Sequence, residues 1–352
     1  RLKHPVIDAD GHWIEFGPLL REEMRRIGGE RAAEGFMFYA HLVEKNLRMG
    51  PAERLAKRVT IGPWFTQPAR NTRDRAAAMM PRLMYERMDE LGFDYSVLYP
   101  STGMSSVRIP DDELRRITCR AFNTFSAEYF APFADRMTPV AMIPMGTPEE
   151  AIAELEHAVK QLGAKVVCLG SLVPRRVGGG GNTSHPDLRD SAQGGIWYDL
   201  LGIDSAYDYD PVWKKCVELG VSPTFHTGTR GIGTRVSPTN FSHIHIGHFA
   251  AACEAVCKAL YIGGVTRRFP TLKFGFLEGG VGYACQLLAD LNGHWEKRNA
   301  KALAENDPKN VKVKELVRLA KAYGDERIAK ALENPRAAYD TVTTIEGAFL
   351  TS

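Results

Sequence analysis

Residues 210–231 read DPVWKKCVELGVSPTFHTGTRG. A helical run, Asp210 to Gly220, leads into a short apolar strand, Ser222 to Thr227. That strand carries His226 near its end and opens into a glycine-rich loop. The same unit recurs along the chain. Further strand candidates fall at Val6–Asp10, Tyr95–Pro100, Thr138–Pro144, Ala164–Gly170 and Leu272–Leu277. All but the first follow a helical run: RLMYERMDELG, which glycine ends at Gly92, then CRAFNTFSAEYFAPF, PEEAIAELEHAVKQLG and HFAAACEAVCKALYIGGVTRRFP. In the PEEA run, Ile152, Leu155, Ala158, Val159 and Leu162 keep the three-to-four spacing of one buried face.

These strands are continuous apolar runs rather than polar–apolar alternations, as in parallel sheets covered on both faces. Repeated βα units fit a doubly wound sheet or a barrel. Asp10 and His12 close the first strand, His226 the fifth and Glu278 the sixth. A barrel brings all strand ends to one mouth, whereas an open sheet does not. The reading is therefore α/β, a distorted (β/α)8 TIM barrel, with residues 1–352 as a single domain. Two insertions, at about 17–80 and 173–205, lie at βα positions, and a helical segment covers about 283–340. The second insertion holds Gly178–Gly181 and Gly194–Gly195. It lacks the Lys-Ser/Thr of a phosphate-binding loop, so a lid or plain insertion is the better reading.

The 352 residues include 44% hydrophobic and 25% charged residues, and the net charge is +3. That balance is globular. It is too small to imply nucleic acid or an anionic membrane as partner. No stretch reaches a membrane span of about 20 apolar residues. The six cysteines form no CxxC pair. Cys253 and Cys257, four apart on a helical run, read as buried small hydrophobes sooner than as metal ligands. Reduced thiols in a cytoplasmic protein are expected. No nucleophile elbow and no dinucleotide fingerprint are present.

The sharpest local feature is Asp8-Ala9-Asp10-Gly11-His12. Residues two apart on a strand share a face, so Asp8, Asp10 and His12 would be co-facial. Asp10 and His12 could chelate a divalent cation, or form an ordinary Asp-Gly turn. His226 strengthens the metal reading, and imidazole with carboxylate suits Zn2+ or Mn2+ better than Ca2+. Glu278 ends an apolar strand, where a carboxylate is costly unless paired or poised as acid or base. His243, His245 and His248 form the run SHIHIGHF, with a lid or helix-cap role and one of them, His248, reaching toward the mouth. Arg230 and Arg235 could clamp a substrate carboxylate or carry solvated loop charge. Trp64, Phe65 and Arg70 could wall the site.

Together the stretches VIDADGHW, RMDELGFDYSVLYPS, FNTFSAEYFAPFADRMTPVAMIPM, DPVWKKCVELGVSPTFHTG and GGVTRRFPTLKFGFLEGGVGY resemble the amidohydrolase-related family (amidohydrolase 2) of the metal-dependent amidohydrolase superfamily. That group includes aminocarboxymuconate semialdehyde, resorcylate and carboxyvanillate decarboxylases. The resemblance implies a barrel of the metal-dependent hydrolase type holding one divalent metal. Asp10 and His12 match the first-strand ligand motif, and His226 the fifth-strand metal histidine. Glu278 stands where the family often carries a catalytic histidine. The eighth-strand metal aspartate has no counterpart here. Strands seven and eight are not visible in the sequence, and the expectation is that they lie beyond Ser352.

The implied activity is decarboxylation of a small carboxylated, aromatic or unsaturated substrate, or hydrolysis of an amide, ester or lactone. A non-catalytic, degenerate barrel is the alternative from another class. Association into a homodimer or larger homo-oligomer is also implied.

Overall fold

The computed structural model describes residues 3–62, 71–176, 195–305, 307, 310–331 and 333–334. The chain divides into two compact units, Arg1–Tyr283 and Ala284–Ser352.

Among the described residues the first unit holds nine strands: β1 (Ile7–Trp13), β2 (Tyr95–Pro100), β3 (Met137–Pro139), β4 (Ala141–Ile143), β5 (Val167–Leu169), β6 (Val173–Arg176), β7 (Ile196–Asp199), β8 (Pro223–Phe225) and β9 (Gly275–Phe276). β1, β2 and β3 pair in that order, and β4, β5, β8 and β9 pair in that order, all parallel. The expected third strand, Thr138–Pro144, is therefore split between two neighbours. Val140 N–H donates to Leu98 O on one side, and Ala141 N–H donates to Val166 O on the other. Pro139 has no N–H to give, which helps the strand change partner there.

Counting β3 and β4 as one strand, the parallel order follows the chain without reversal. A doubly wound sheet reverses at a switch point; this one does not. In a flat sheet, six strands would place β1 and β9 about 24 Å apart at 4.8 Å per step. Instead the Glu278 N–H, just after β9, donates to Asp10 Oδ2 of β1 at 3.2 Å. The sheet is rolled so that its two edge strands meet at their C-terminal ends. This is a TIM-barrel-like α/β fold, and among the described residues the barrel is not closed by hydrogen-bonded pairing.

Glycines and caps end the helices where the sequence indicates. Helix Pro81–Leu91 stops at Gly92, and helix Asp210–Leu219 stops at Gly220, both in the left-handed region at φ 82° and 68°. Asp111 caps helix Asp112–Phe130 and Thr147 caps helix Pro148–Glu156. One apolar cluster joins Trp213, Val212 and Leu155 to Ile143, Val167 and Phe225. A second joins Trp13, Leu20, Met88, Phe122 and Phe130 to Leu98 and Met137. Burial on both faces accounts for the unbroken apolar runs.

The first insertion is largely helical: Gly17–Arg48, Pro51–Lys57 and Thr72–Met79. Its long helix lies close against Asp112–Phe130. A Cβ on Gly35 would come within 1.8 Å of Thr118 Oγ1. The second insertion begins and ends as an antiparallel hairpin, β6 with β7. Arg175 anchors it by pairing with buried Asp199 at 3.0 Å and donating to Tyr209 Oη and Gly146 O. Gly178–Gly181 and Gly194 lie outside the described residues.

The second unit is helical where described, with Ala300–Ala304, Val313–Tyr323 and Glu326–Ala331; helix Gly282–Arg298 runs into it. All six cysteines are free. Cys253 donates to Leu277 O at 3.4 Å, the contact of a packed thiol. No helix among the described residues is long and apolar enough to cross a membrane.

Candidate metal centre

The C-terminal end of β1 delivers two donors, but not by simple alternation. The pairing with β2 shifts between Asp8 and Gly11. This irregularity turns Asp8 away from the ligand set that alternation predicts. Its Oδ1 accepts the Asp10 N–H at 3.2 Å and its Oδ2 accepts the Ser96 hydroxyl at 3.1 Å. Gly11 leaves the room for this, because a Cβ there would sit 2.4 Å from Asp8 Oδ2. Asp8 braces the strand end; Asp10 and His12 face the mouth.

β8 brings His226 to the same point. The Nε2 atoms of His12 and His226 lie 3.0 Å apart, with the rings nearly perpendicular. Asp10 Oδ1 lies 3.5 Å from His226 Nε2 and is buried without a hydrogen-bond partner. One donor atom from each of Asp10, His12 and His226 lies within 4.8 Å of the others. A buried, unpartnered carboxylate oxygen beside two converging imidazole nitrogens suits a borderline divalent cation. Burial, then the His226 charge, pushes the His12 pKa down. That keeps the imidazole neutral, the form that binds metal.

Glu278 completes the mouth. Its Oε1 lies 3.8 Å from His12 Nε2 and its Oε2 lies 3.8 Å from His226 Nε2. It occupies the left-handed region at φ 54°, followed by Gly279 and by Gly280 at φ 66°. A non-glycine residue pays for that conformation. Here it keeps the Glu278 N–H on Asp10 and the carboxyl between the histidines. Burial pushes the Glu278 pKa up, Asp10 adds to this, and His226 and His245 oppose it.

Two residues of the site were not singled out from sequence. The Tyr99 ring underlies both histidines, 5.4 Å from His226 and 6.2 Å from His12. Its hydroxyl donates to Thr224, which donates to Val167 O. Its signal was an aromatic residue at the end of β2. Buried Glu15 accepts the N–H groups of Thr102 and Gly103, tying the exit of β1 to the loop after β2. Burial raises its pKa against those hydrogen bonds.

The remaining sequence candidates fall around this mouth. Thr229 donates through both N–H and hydroxyl to His248 O, folding the loop after β8 onto the start of helix His248–Ile262. Arg230 stands over the Phe241 ring at 5.7 Å. Arg235 Nη1 donates to Ile246 O at 2.6 Å, an engagement within the loop. His243 is exposed on the short helix Phe241–His245, whereas His248 is buried and packs on His245 and Phe249. Trp64, Phe65 and Arg70 lie outside the described residues.

A rolled parallel sheet with His, His and Asp donors at its mouth defines a metal-dependent barrel of the amidohydrolase kind. The family model described as amidohydrolase matches residues 7–329, and the chain belongs to that family. Among known proteins it is similar to 2-amino-3-carboxymuconate-6-semialdehyde decarboxylase of Dictyostelium discoideum, at 25% identity over 158 residues. That match covers 45% of this chain and only 36% of the relative. The 5-carboxyvanillate decarboxylase of Novosphingobium aromaticivorans, solved with manganese and 3-methoxy-4-hydroxy-5-nitrobenzoic acid, has a similar structure, with a TM-score of 0.50 at 16% identity. The match covers 85% of this chain and 74% of that one. A dihydroxybenzoic acid decarboxylase of Polaromonas, solved with manganese and 2-nitroresorcinol, matches at TM-score 0.49 and 18% identity. It covers 85% of this chain and 71% of its own. At 16% identity the likeness to the 5-carboxyvanillate decarboxylase is one of fold.

Proposed function

We propose that this chain is a metal-dependent carboxy-lyase acting on a small carboxylated aromatic or unsaturated substrate. The observation that carries the reading is the convergence of Asp10, His12 and His226, with Glu278 beside them. Asp10, His12 and His226 would hold one divalent ion, Zn2+ or Mn2+; manganese in the 5-carboxyvanillate decarboxylase of like fold supports the second. When bound, the ion supplies a Lewis acid for a carboxylate and a neighbouring oxygen. The chain's own part is to orient and to move one proton. The bond between the carboxylate carbon and its neighbour breaks, CO2 leaves, and the electron pair left on carbon takes a proton from the Glu278 carboxyl. Burial favours the protonated form of that group, as an acid needs. Tyr99 and Phe249 flank His226 and would wall off water on the apolar side.

Arg230, Arg235 and His248 are the candidate substrate contacts in this reading. Hydrolysis of an amide, ester or lactone would use the same centre, with Glu278 as base toward water. The family name and the shared donor set keep that second reading in view. The six free cysteines support a reducing, cytoplasmic setting. A homodimer or larger homo-oligomer belongs to the same reading, tested by light scattering.

The deciding experiment purifies the protein without chelator, measures metal per chain, and assays CO2 release from a panel of hydroxybenzoates. About one equivalent of metal and trapped CO2 are expected. Bound metal with ester or amide cleavage and no CO2 would favour the hydrolase. A chain that neither retains nor takes up metal would overturn both and leave the non-catalytic barrel.

A further inference from the structure

Glu278 keeps its place between the histidines against its own backbone preference. Its φ of 54° lies in the left-handed region, where a residue with a Cβ sits at a cost. The easy way out is a crankshaft turn of the peptide unit in front of it. That motion changes ψ of Leu277 and φ of Glu278 together. It would swing the carboxyl away from the Nε2 atoms of His12 and His226, each 3.8 Å from one of its oxygens.

That peptide unit is tied at both ends. Its N–H donates to Asp10 Oδ2 at 3.2 Å. Its C=O, on Leu277, accepts the Cys253 thiol at 3.4 Å. The peptide before it is tied as well, since the Leu277 N–H donates to Phe225 O at 3.0 Å. On the other side of Glu278, Gly279 is packed between two side chains. A Cβ there would fall 2.9 Å from Cys253 Sγ and 2.8 Å from Tyr283 Cε1. Cys253 therefore meets this turn twice, through the carbonyl ahead of Glu278 and through the glycine behind it. Cys253 is 1% exposed. Burial, with Cys257 and Asp10 adding to it, pushes the thiol pKa up to about 11. The proton stays on sulfur at neutral pH, which leaves an S–H to donate. Cys253 also lies one turn beyond Phe249 on helix His248–Ile262, so the two share a face. The Phe249 ring lies 5.3 Å from that of His226. One helix face thus backs both a candidate metal ligand and the turn that carries Glu278.

We infer that Cys253 is a positioning residue for Glu278: it holds the Leu277–Glu278 peptide against Asp10 and so fixes the carboxyl between His12 and His226. The inference deepens the proposed function, and its effect on turnover rests on Glu278 as the proton donor there. Asp10 is a candidate metal ligand, so Cys253 is the end of the tie that can be cut without removing a ligand.

Amide hydrogen exchange of the full chain, as purified, reads the tie directly. Isotopic labelling of the glutamate nitrogens isolates the Glu278 amide, whose resonance is the one missing from Glu278→Gln. In Cys253→Ala that amide should exchange about tenfold faster than in the wild type, as the loss of one hydrogen bond implies, with metal per chain unchanged. Cys253→Ser keeps a donor and should recover most of the protection. An unchanged Glu278 amide in Cys253→Ala overturns the inference. Equal loosening in the alanine and serine variants also overturns it, since sulfur would then act by packing alone. Turnover on the hydroxybenzoate panel is the second arm. Cys253→Ala should lower kcat about tenfold and leave KM within twofold, because binding is kept and only the placement of the acid is lost. Faster exchange with wild-type kcat in Cys253→Ala, where Glu278→Gln is inactive, overturns the positioning role. Wild-type turnover in Glu278→Gln strikes the proton-donor reading instead, and the exchange arm still decides the tie.

Discussion

Two neighbouring regions of one barrel mouth treat histidine in opposite ways. At the candidate metal centre, His12 and His226 face each other and two carboxylates. At the start of helix His248–Ile262, the buried His248 ring packs on His245 and Phe249, and neither of its ring nitrogens has a hydrogen-bond partner. The same side chain is a candidate metal ligand in one place and a packed ring with no nitrogen partner in the other. What differs is the charge that the packed segments bring. Acids at the ends of β1 and β9 stand beside the first pair, whereas burial, with His245 and nearby arginines adding to it, lowers the His248 pKa at the second.

The largest effect should come from the first region. His226→Ala removes the donor nearest both partners, and metal content should fall by about a hundredfold in affinity or more. Retention of one equivalent of metal by that variant, measured by elemental analysis, would break the comparison. Glu278→Gln should keep the metal but lower turnover by roughly 10²–10⁴, since only the transferable proton is lost. A variant as fast as the wild type would remove Glu278 from the chemistry.

The second region predicts a pH effect on stability. Folding lowers the His248 pKa from 6.5 to about 4. Between those values the unfolded chain binds a proton that the folded chain refuses, so stability rises with pH. The contribution is full above about 6.5 and is lost as pH falls toward 4, by roughly 3 kcal/mol at most. Chemical denaturation at pH 5 and 7.5 should show this loss, and His248→Asn should flatten it relative to the wild type. Gly228→Ala should cost about 1–3 kcal/mol by driving a methyl group into the His248 ring. Unchanged stability there would mean that the loop after β8 is not locked to the helix. Smallest, and opposite in sign, Glu278→Gly should stabilise the chain by about 1 kcal/mol while abolishing turnover. That pairing of gain and loss would mark backbone strain held for function.

Much of this arrangement was legible in the residues. Tyr95–Pro100 is a strand with the expected bounds, and Gly92 and Gly220 end their helices, because a left-handed cap and an apolar run are local properties. Asp10, His12 and His226 converge because strand ends in a rolled parallel sheet share one mouth. Alternation failed at Asp8, where one shift of register turned the side chain to Ser96. It failed again at residues 137–143, where one expected strand serves two neighbours. Tyr99 and Glu15 stood out less, since an aromatic and an acid gain meaning only from what packs against them.

Sequence alone determined the βα rhythm, the family and the three convergent donors, because helix stops, apolar runs and strand-end polar residues are written over short distances. Tertiary structure decided the rest. It rolled the sheet so that Glu278 meets Asp10 across 268 positions of chain. It also set Glu278 in a strained backbone and buried the His248 ring against Gly228 and Phe249. Those outcomes depend on distances between remote segments, and electrostatic energy is decided by such distances rather than by composition.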